Sequence, residues 1–173
     1  MKDMSISKAL NWLFIAEILS ILGIIPLVGA ILVIIAFVMN LLALHGAGKL
    51  DEGYKTAFTL SIVGIVVSIV AAFAGDGVFG TIVDIISAVI ALGILYYVIM
   101  TTVKHLGDSD VAAKGLAVWK LNLICTVALV VLTLLALIVP VIAGVLLIIV
   151  AIVEIVAGIM YIVFLYKSSK ALA

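Results

Sequence analysis

The stretch Val141–Tyr166 reads VIAGVLLIIVAIVEIVAGIMYIVFLY, apolar or small throughout except for Glu154, with Lys167 immediately after it. At 1.5 Å per residue its ~26 residues make a helix roughly 39 Å long, enough to cross a ~30 Å hydrocarbon layer with some tilt. A helix apolar on every side has no polar face to turn to water. Lipid is therefore the solvent this segment requires.

Working outward, five more segments of this kind precede it. The expected boundaries are 6–25, 27–44, 54–74, 78–103, 113–139 and 141–166. Pro26 separates the first pair, Gly75-Asp76-Gly77 the second and Pro140 the third, each a residue type that breaks a helix or allows a tight turn. Longer polar connections, Lys49-Leu50-Asp51-Glu52-Gly53 and Lys104-His105-Leu106-Gly107-Asp108-Ser109-Asp110, lie between the pairs. The expected fold is an all-α integral membrane protein. It is a bundle of six transmembrane helices built of three helical hairpins, in one transmembrane domain over residues 1–173. The MKDMSISK start could pass for a leader with Val28-Gly29-Ala30 as its cleavage site, but another spanning segment follows at once, so it reads as the first helix.

Composition agrees. The chain is 68% hydrophobic and 10% charged, against about 45–50% and 25% for ordinary soluble domains. Its formal net charge is +0, which supplies no field for nucleic acid. The single cysteine, Cys125, stands in an apolar run, cannot form an internal disulfide and reads as a structural thiol.

All nine basic residues are lysine, at positions 2, 8, 49, 55, 104, 114, 120, 167 and 170. They fall at the termini and at the connections 2–3 and 4–5 or their flanks; connections 1–2, 3–4 and 5–6 carry none. The positive-inside rule then places both termini in the cytoplasm and the protein in a cell membrane. Trp12, Trp119, Tyr54 and Tyr166 fall near the same face, where interfacial aromatics are expected. An internal repeat aligns Ile24–Ala36 with Ile138–Val150, each a proline-containing outer turn followed by an apolar rise, and sets Asn40 opposite Glu154.

Helices in lipid associate through small residues and a few hydrogen bonds. Such stripes are Ala9, Ala16, Ser20 and Gly23 on the first helix, Gly29, Ala36, Asn40 and Ala43 on the second, Ser61, Gly64, Ser68 and Ala71 on the third, and Thr81, Asp84, Ala88 and Ala91 on the fourth. The fifth has Asn122, Thr126, Thr133 and Ala136, and the sixth Gly144, Ala151, Glu154 and Gly158. These positions are expected to face the interior.

The candidate ion or substrate residues are Glu17, Glu154, Asp84 and Asn40. Glu17 and Glu154 stand near the middle of the first and last helices, Asp84 nearer the outer end of the fourth. No base is written at matching depth, and a carboxylate at the bilayer centre costs on the order of 2.5–3.5 kcal/mol. Three readings follow: carboxyl groups that hydrogen-bond across helices or to backbone carbonyls, as Asn40 and Asn122 are expected to, a proton- or cation-handling pair on helices one and six, neighbours if the bundle closes on itself, or a contact with a membrane partner.

No metal site is expected, since His45, Asp51, Glu52, His105, Asp108 and Asp110 fit no zinc or EF-hand spacing. Gly46-Ala47-Gly48-Lys49 lacks the hydroxyl residue of a phosphate loop, Leu50 standing there instead. No cofactor and no catalytic residue is expected, and the chain does not read as an enzyme.

The run Ile-Pro-Leu-Val-Gly-Ala-Ile-Leu after the first helix, the Leu-Leu-Ala-Leu-His segment and the Lys-Leu-Asp-Glu-Gly-Tyr-Lys-Thr-Ala-Phe connection resemble small prokaryotic multi-pass membrane proteins known as a domain of unknown function. The resemblance covers roughly residues 5–105 and implies a prokaryotic inner membrane, with no catalytic residues. The favoured function is a structural or accessory subunit acting through helix–helix contacts. Its partners would be the lipid bilayer and either another membrane protein or further copies of the chain. The alternative is a small proton- or cation-coupled transporter or channel using Glu17 and Glu154.

Overall fold

The computed structural model describes residues 4–26, 28–75 and 77–173. They form six helices: α1 Ile6–Leu22, α2 Gly29–Ala47, α3 Glu52–Ala74, α4 Val78–Leu106, α5 Asp110–Ala136 and α6 Pro140–Ala171. Each helix packs on the next, and α6 returns onto α1 to close the ring. The three pairs joined by short turns, α1–α2, α3–α4 and α5–α6, pack more extensively than any other pairs, as hairpins should. Ser7 Oγ donates to the Ser169 carbonyl oxygen (2.6 Å), so the two ends of the chain meet at one end of the bundle.

Side-chain caps distinguish the two ends. The helices that leave the lysine-bearing end start on Ser5, Asp51 and Ser109, whose side chains accept from the backbone N–H of Lys8, Gly53 and Ala112. The returning helices α2, α4 and α6 begin without a side-chain cap. Gly75 and Gly77 take positive φ in the α3–α4 turn, where a side chain would be strained.

Helix boundaries depart from those drawn on hydropathy, for identifiable reasons. Hydropathy carries α1 over 6–25, but the helix ends at Leu22, because residues 23–26 turn ahead of Pro26. Its 17 residues span about 25 Å, less than a hydrocarbon core. Among the described residues five helices, α2 to α6, are long and apolar enough to cross a membrane, rather than the expected six. At the lysine-bearing end α2, α4 and α6 run past the apolar segments to Ala47, Leu106 and Ala171, and α3 and α5 start early on their caps. α5 stops at Ala136 because Val139, before Pro140, leaves the helical region at φ −132° and ψ 74°. Leu27, expected to open the second helix, lies outside the described residues.

The core sits at the lysine-bearing end. Leu10, Leu13, Leu44, Tyr54, Val98 and Leu165 are buried together there, and Ile99, Val118 and Phe164 form a second cluster beside them. Toward the other end the buried side chains are mostly small, Ala36 and Ala143 among them, while large apolar residues such as Ile24, Phe73, Val141 and Ile148 face outward. This inverts a soluble protein, since lipid accepts the apolar exterior and no hydrophobic force draws the helices together.

Two expectations fail. Tyr54 is fully buried, its hydroxyl 2.8 Å from Thr102 Oγ1, and is not an interfacial aromatic. On α6 the interior carries Ala143, Ala157, Phe164 and Leu165, whereas Gly144 and Ala151 of the expected stripe are exposed. The α1 and α2 stripes face inward at Ala9, Ala16, Gly29, Ala36 and Ala43, whereas Ser20 on α1, Ser68 on α3, and Asp84 and Ala91 on α4 are exposed.

Candidate functional site

Because α6 closes onto α1, Glu17 and Glu154 come to the same cavity, a space of about 340 Å³ between α1, α4, α5 and α6. Ala88 and Ala91 of α4 leave room for it, and Asn122, Thr126 and Tyr161 line it beside the two carboxylates. Asn122 donates from Nδ2 to the Val118 carbonyl oxygen (2.9 Å), which leaves its Oδ1 as an acceptor. Glu17 is half-buried and Glu154 exposed; among the described residues no acidic side chain is buried. What the arrangement offers is two carboxylates, an amide and two hydroxyl groups around one open space.

The other two candidates are elsewhere. Asp84 is exposed in the second turn of α4 and does not line this cavity. Asn40 lines a larger groove of about 680 Å³ between α2, α3 and α4, with Ser61, Gly64, Ser68 and Ser87. Ser61 and Ser87 donate to the Ala57 and Val83 carbonyls of their own helices (both 2.9 Å), so these two hydroxyl groups are satisfied in place. The pairing of Asn40 with Glu154 in the sequence repeat thus corresponds to two separate sites. Asn122 and Thr126, legible in the sequence only as a packing stripe on α5, turn out to line the carboxylate cavity. Tyr161 is missed altogether by sequence reasoning. One tyrosine in the apolar run of α6 gives no signal until α1 and α4 are placed beside it.

At the lysine-bearing end the Asp51 carboxylate ties connection 2–3 to the end of α4. Oδ1 accepts from the Gly53 N–H (2.9 Å), and Oδ2 from Lys104 Nζ (2.9 Å) and His105 Nε2 (3.2 Å). The Gly53 N–H, then Lys104, hold this carboxyl below its usual range. Among the described residues no three His, Cys, Asp or Glu side chains gather as a metal site would need.

Compared with protein-family models, with curated proteins and with solved structures, the chain matches none.

Proposed function

We propose that this protein is a multi-pass membrane protein that acts as a structural or accessory subunit through helix–helix contacts, without enzymatic chemistry. The observation that carries this reading is the groove between α2, α3 and α4. Asn40 and Ser68 present polar groups there, and Gly64 and Ala91 keep the walls low. Small residues let a helix backbone approach closely, and a polar group facing hydrocarbon gains from a partner that hydrogen-bonds to it. A transmembrane helix of another chain, with small residues on one face, fits that description.

The lysine distribution supports cytoplasmic termini, and the resemblance of residues 5–105 to small prokaryotic membrane proteins supports a prokaryotic inner membrane. A photocrosslinking residue at Ser68, with a second at the outward-facing Ile148 as control, tests the groove in native membranes. Crosslinks from position 68 alone, lost on Gly64→Leu, are expected. Equal yields from both positions, or yields unaffected by Gly64→Leu, would reject the reading.

The meeting of Glu17 and Glu154 in one cavity favours a second reading, a small proton- or cation-coupled transporter or channel. Glu17→Gln and Glu154→Gln proteins in liposomes separate the two. Intact assembly with lost cation flux would establish transport; lost assembly without any flux in the parent protein would reject it.

A further inference from the structure

The outer surface of the α5–α6 hairpin holds a third cavity, of about 280 Å³, that neither proposed function uses. Its walls are almost wholly apolar, from Val118 on α5 to Met160, Val163 and Phe164 on α6, and Lys114 and Lys167 stand at its rim. The ring of Phe164 occupies the space over Gly115, where any side chain would collide with it, so tight packing fixes this wall. Lys114 and Lys167 come from antiparallel neighbours, near the start of α5 and the end of α6, at the lysine-bearing end of the bundle. Ile159, on the same cavity, lies eight residues before Lys167, about 12 Å deeper along α6.

Both lysine side chains are exposed. The ion pairs among the described residues use Lys55, Lys104 and His105, and neither Lys114 nor Lys167 takes part in one. The nearest acid along the chain is Asp110, one turn before Lys114 on α5. Two exposed lysines at the lysine-bearing end thus flank an apolar slot whose lining follows α6 toward the middle of the bundle. Anionic headgroups are drawn to such clustered lysines between transmembrane helices. An acyl chain is as apolar as these walls, whereas a free ion or water entering the slot would find no hydrogen-bond partner on them.

We infer that this cavity binds one anionic glycerophospholipid, its phosphate between Lys114 and Lys167 and part of an acyl chain against Ile159, Met160 and Val163. The charge selects the headgroup, and the depth of the slot selects a lipid over a free phosphate ion.

Native mass spectrometry of the full-length protein in mild detergent, titrated with palmitoyl-oleoyl-phosphatidylglycerol or with the phosphatidylcholine of the same chains, tests this. One phosphatidylglycerol should bind at markedly lower concentration than phosphatidylcholine. Lys114→Gln with Lys167→Gln should weaken it about tenfold, while Lys49→Gln with Lys55→Gln leaves it unchanged. Val163→Trp, which keeps both charges and fills the slot, should weaken it as well. Neither inorganic phosphate nor glycerophosphoglycerol, the headgroup without chains, should displace the lipid.

Indifference to headgroup charge would overturn the inference, as would equal losses in the two lysine pairs, which would indicate a general surface potential. Displacement by inorganic phosphate or by the bare headgroup would overturn it too, in favour of a free-anion site. Should the double lysine variant fail to fold by circular dichroism, the Val163→Trp result and the headgroup comparison on the parent protein still decide.

Discussion

Tyr54 Oη lies 2.8 Å from Thr102 Oγ1 inside the core, joining the first turn of α3 to the last turns of α4. Thr102 Oγ1 also donates to the Val98 carbonyl oxygen (2.6 Å), so its proton is committed and the tyrosine is the donor between them. Beside this pair Gly53 lies directly under the Thr101 side chain, with no room for a Cβ. The α3–α4 hairpin is therefore locked at the lysine-bearing end, the end opposite its connecting turn.

Tyr54→Phe should cost about 1 kcal/mol, the net value of one hydrogen bond, because Thr102 keeps its own donor satisfied. Tyr54→Ala should cost about 3–5 kcal/mol, since a fully buried aromatic is removed as well. Thermal unfolding in detergent checks both. Equal losses in the two variants would show that the hydroxyl, not the ring, holds the hairpin.

Asp51 sets a dependence on acid. Its carboxyl titrates below its usual range when folded, so its contribution is complete above the unfolded value near 3.8 and is lost as pH falls through the lower folded value. The melting temperature of the parent protein should exceed that of Asp51→Asn by a constant margin from pH 7 to about pH 5, and the margin should close below about pH 4. A margin that instead widens as pH falls would contradict the sign of this linkage.

Gly115→Val should destabilise by about 1–3 kcal/mol, because its side chain meets the Phe164 ring and Val103 in a packed seam. Gly144→Ala and Gly158→Ala, with open space where a Cβ would stand, should fall within about 0.5 kcal/mol of neutral or gain slightly from helix propensity. Denaturation midpoints of the three variants give the comparison. A loss at Gly144 equal to that at Gly115 would place an unseen contact on the outer face of α6.

The proposed orientation predicts opposite labelling at the two ends. In a Cys125→Ser background, a cysteine at Ser109 should react with membrane-impermeant maleimide only from the cytoplasmic side, and one at Gly77 only from the other side. Both reacting from one side would overturn the inside assignment of the lysines.

The Val141–Tyr166 stretch and its five relatives, with lysines confined to alternate connections, were enough to determine helices, lipid surroundings and hairpins in series. Hydropathy reports the solvent around each segment, and that decision is local to the segment. It misplaces the end of α1, because apolar residues continue to Ile25 while the turn ahead of Pro26 ends the helix at Leu22. It is also silent on the inward face of α6: when every side of a helix is apolar, periodicity carries no angular signal, and packing alone rotated Gly144 and Ala151 outward. Only the closing of α6 onto α1 brought Glu17 and Glu154 to one cavity and left Asn40 in another. Contacts between residues more than a hundred positions apart depend on the order of helices around the ring, which no single segment encodes.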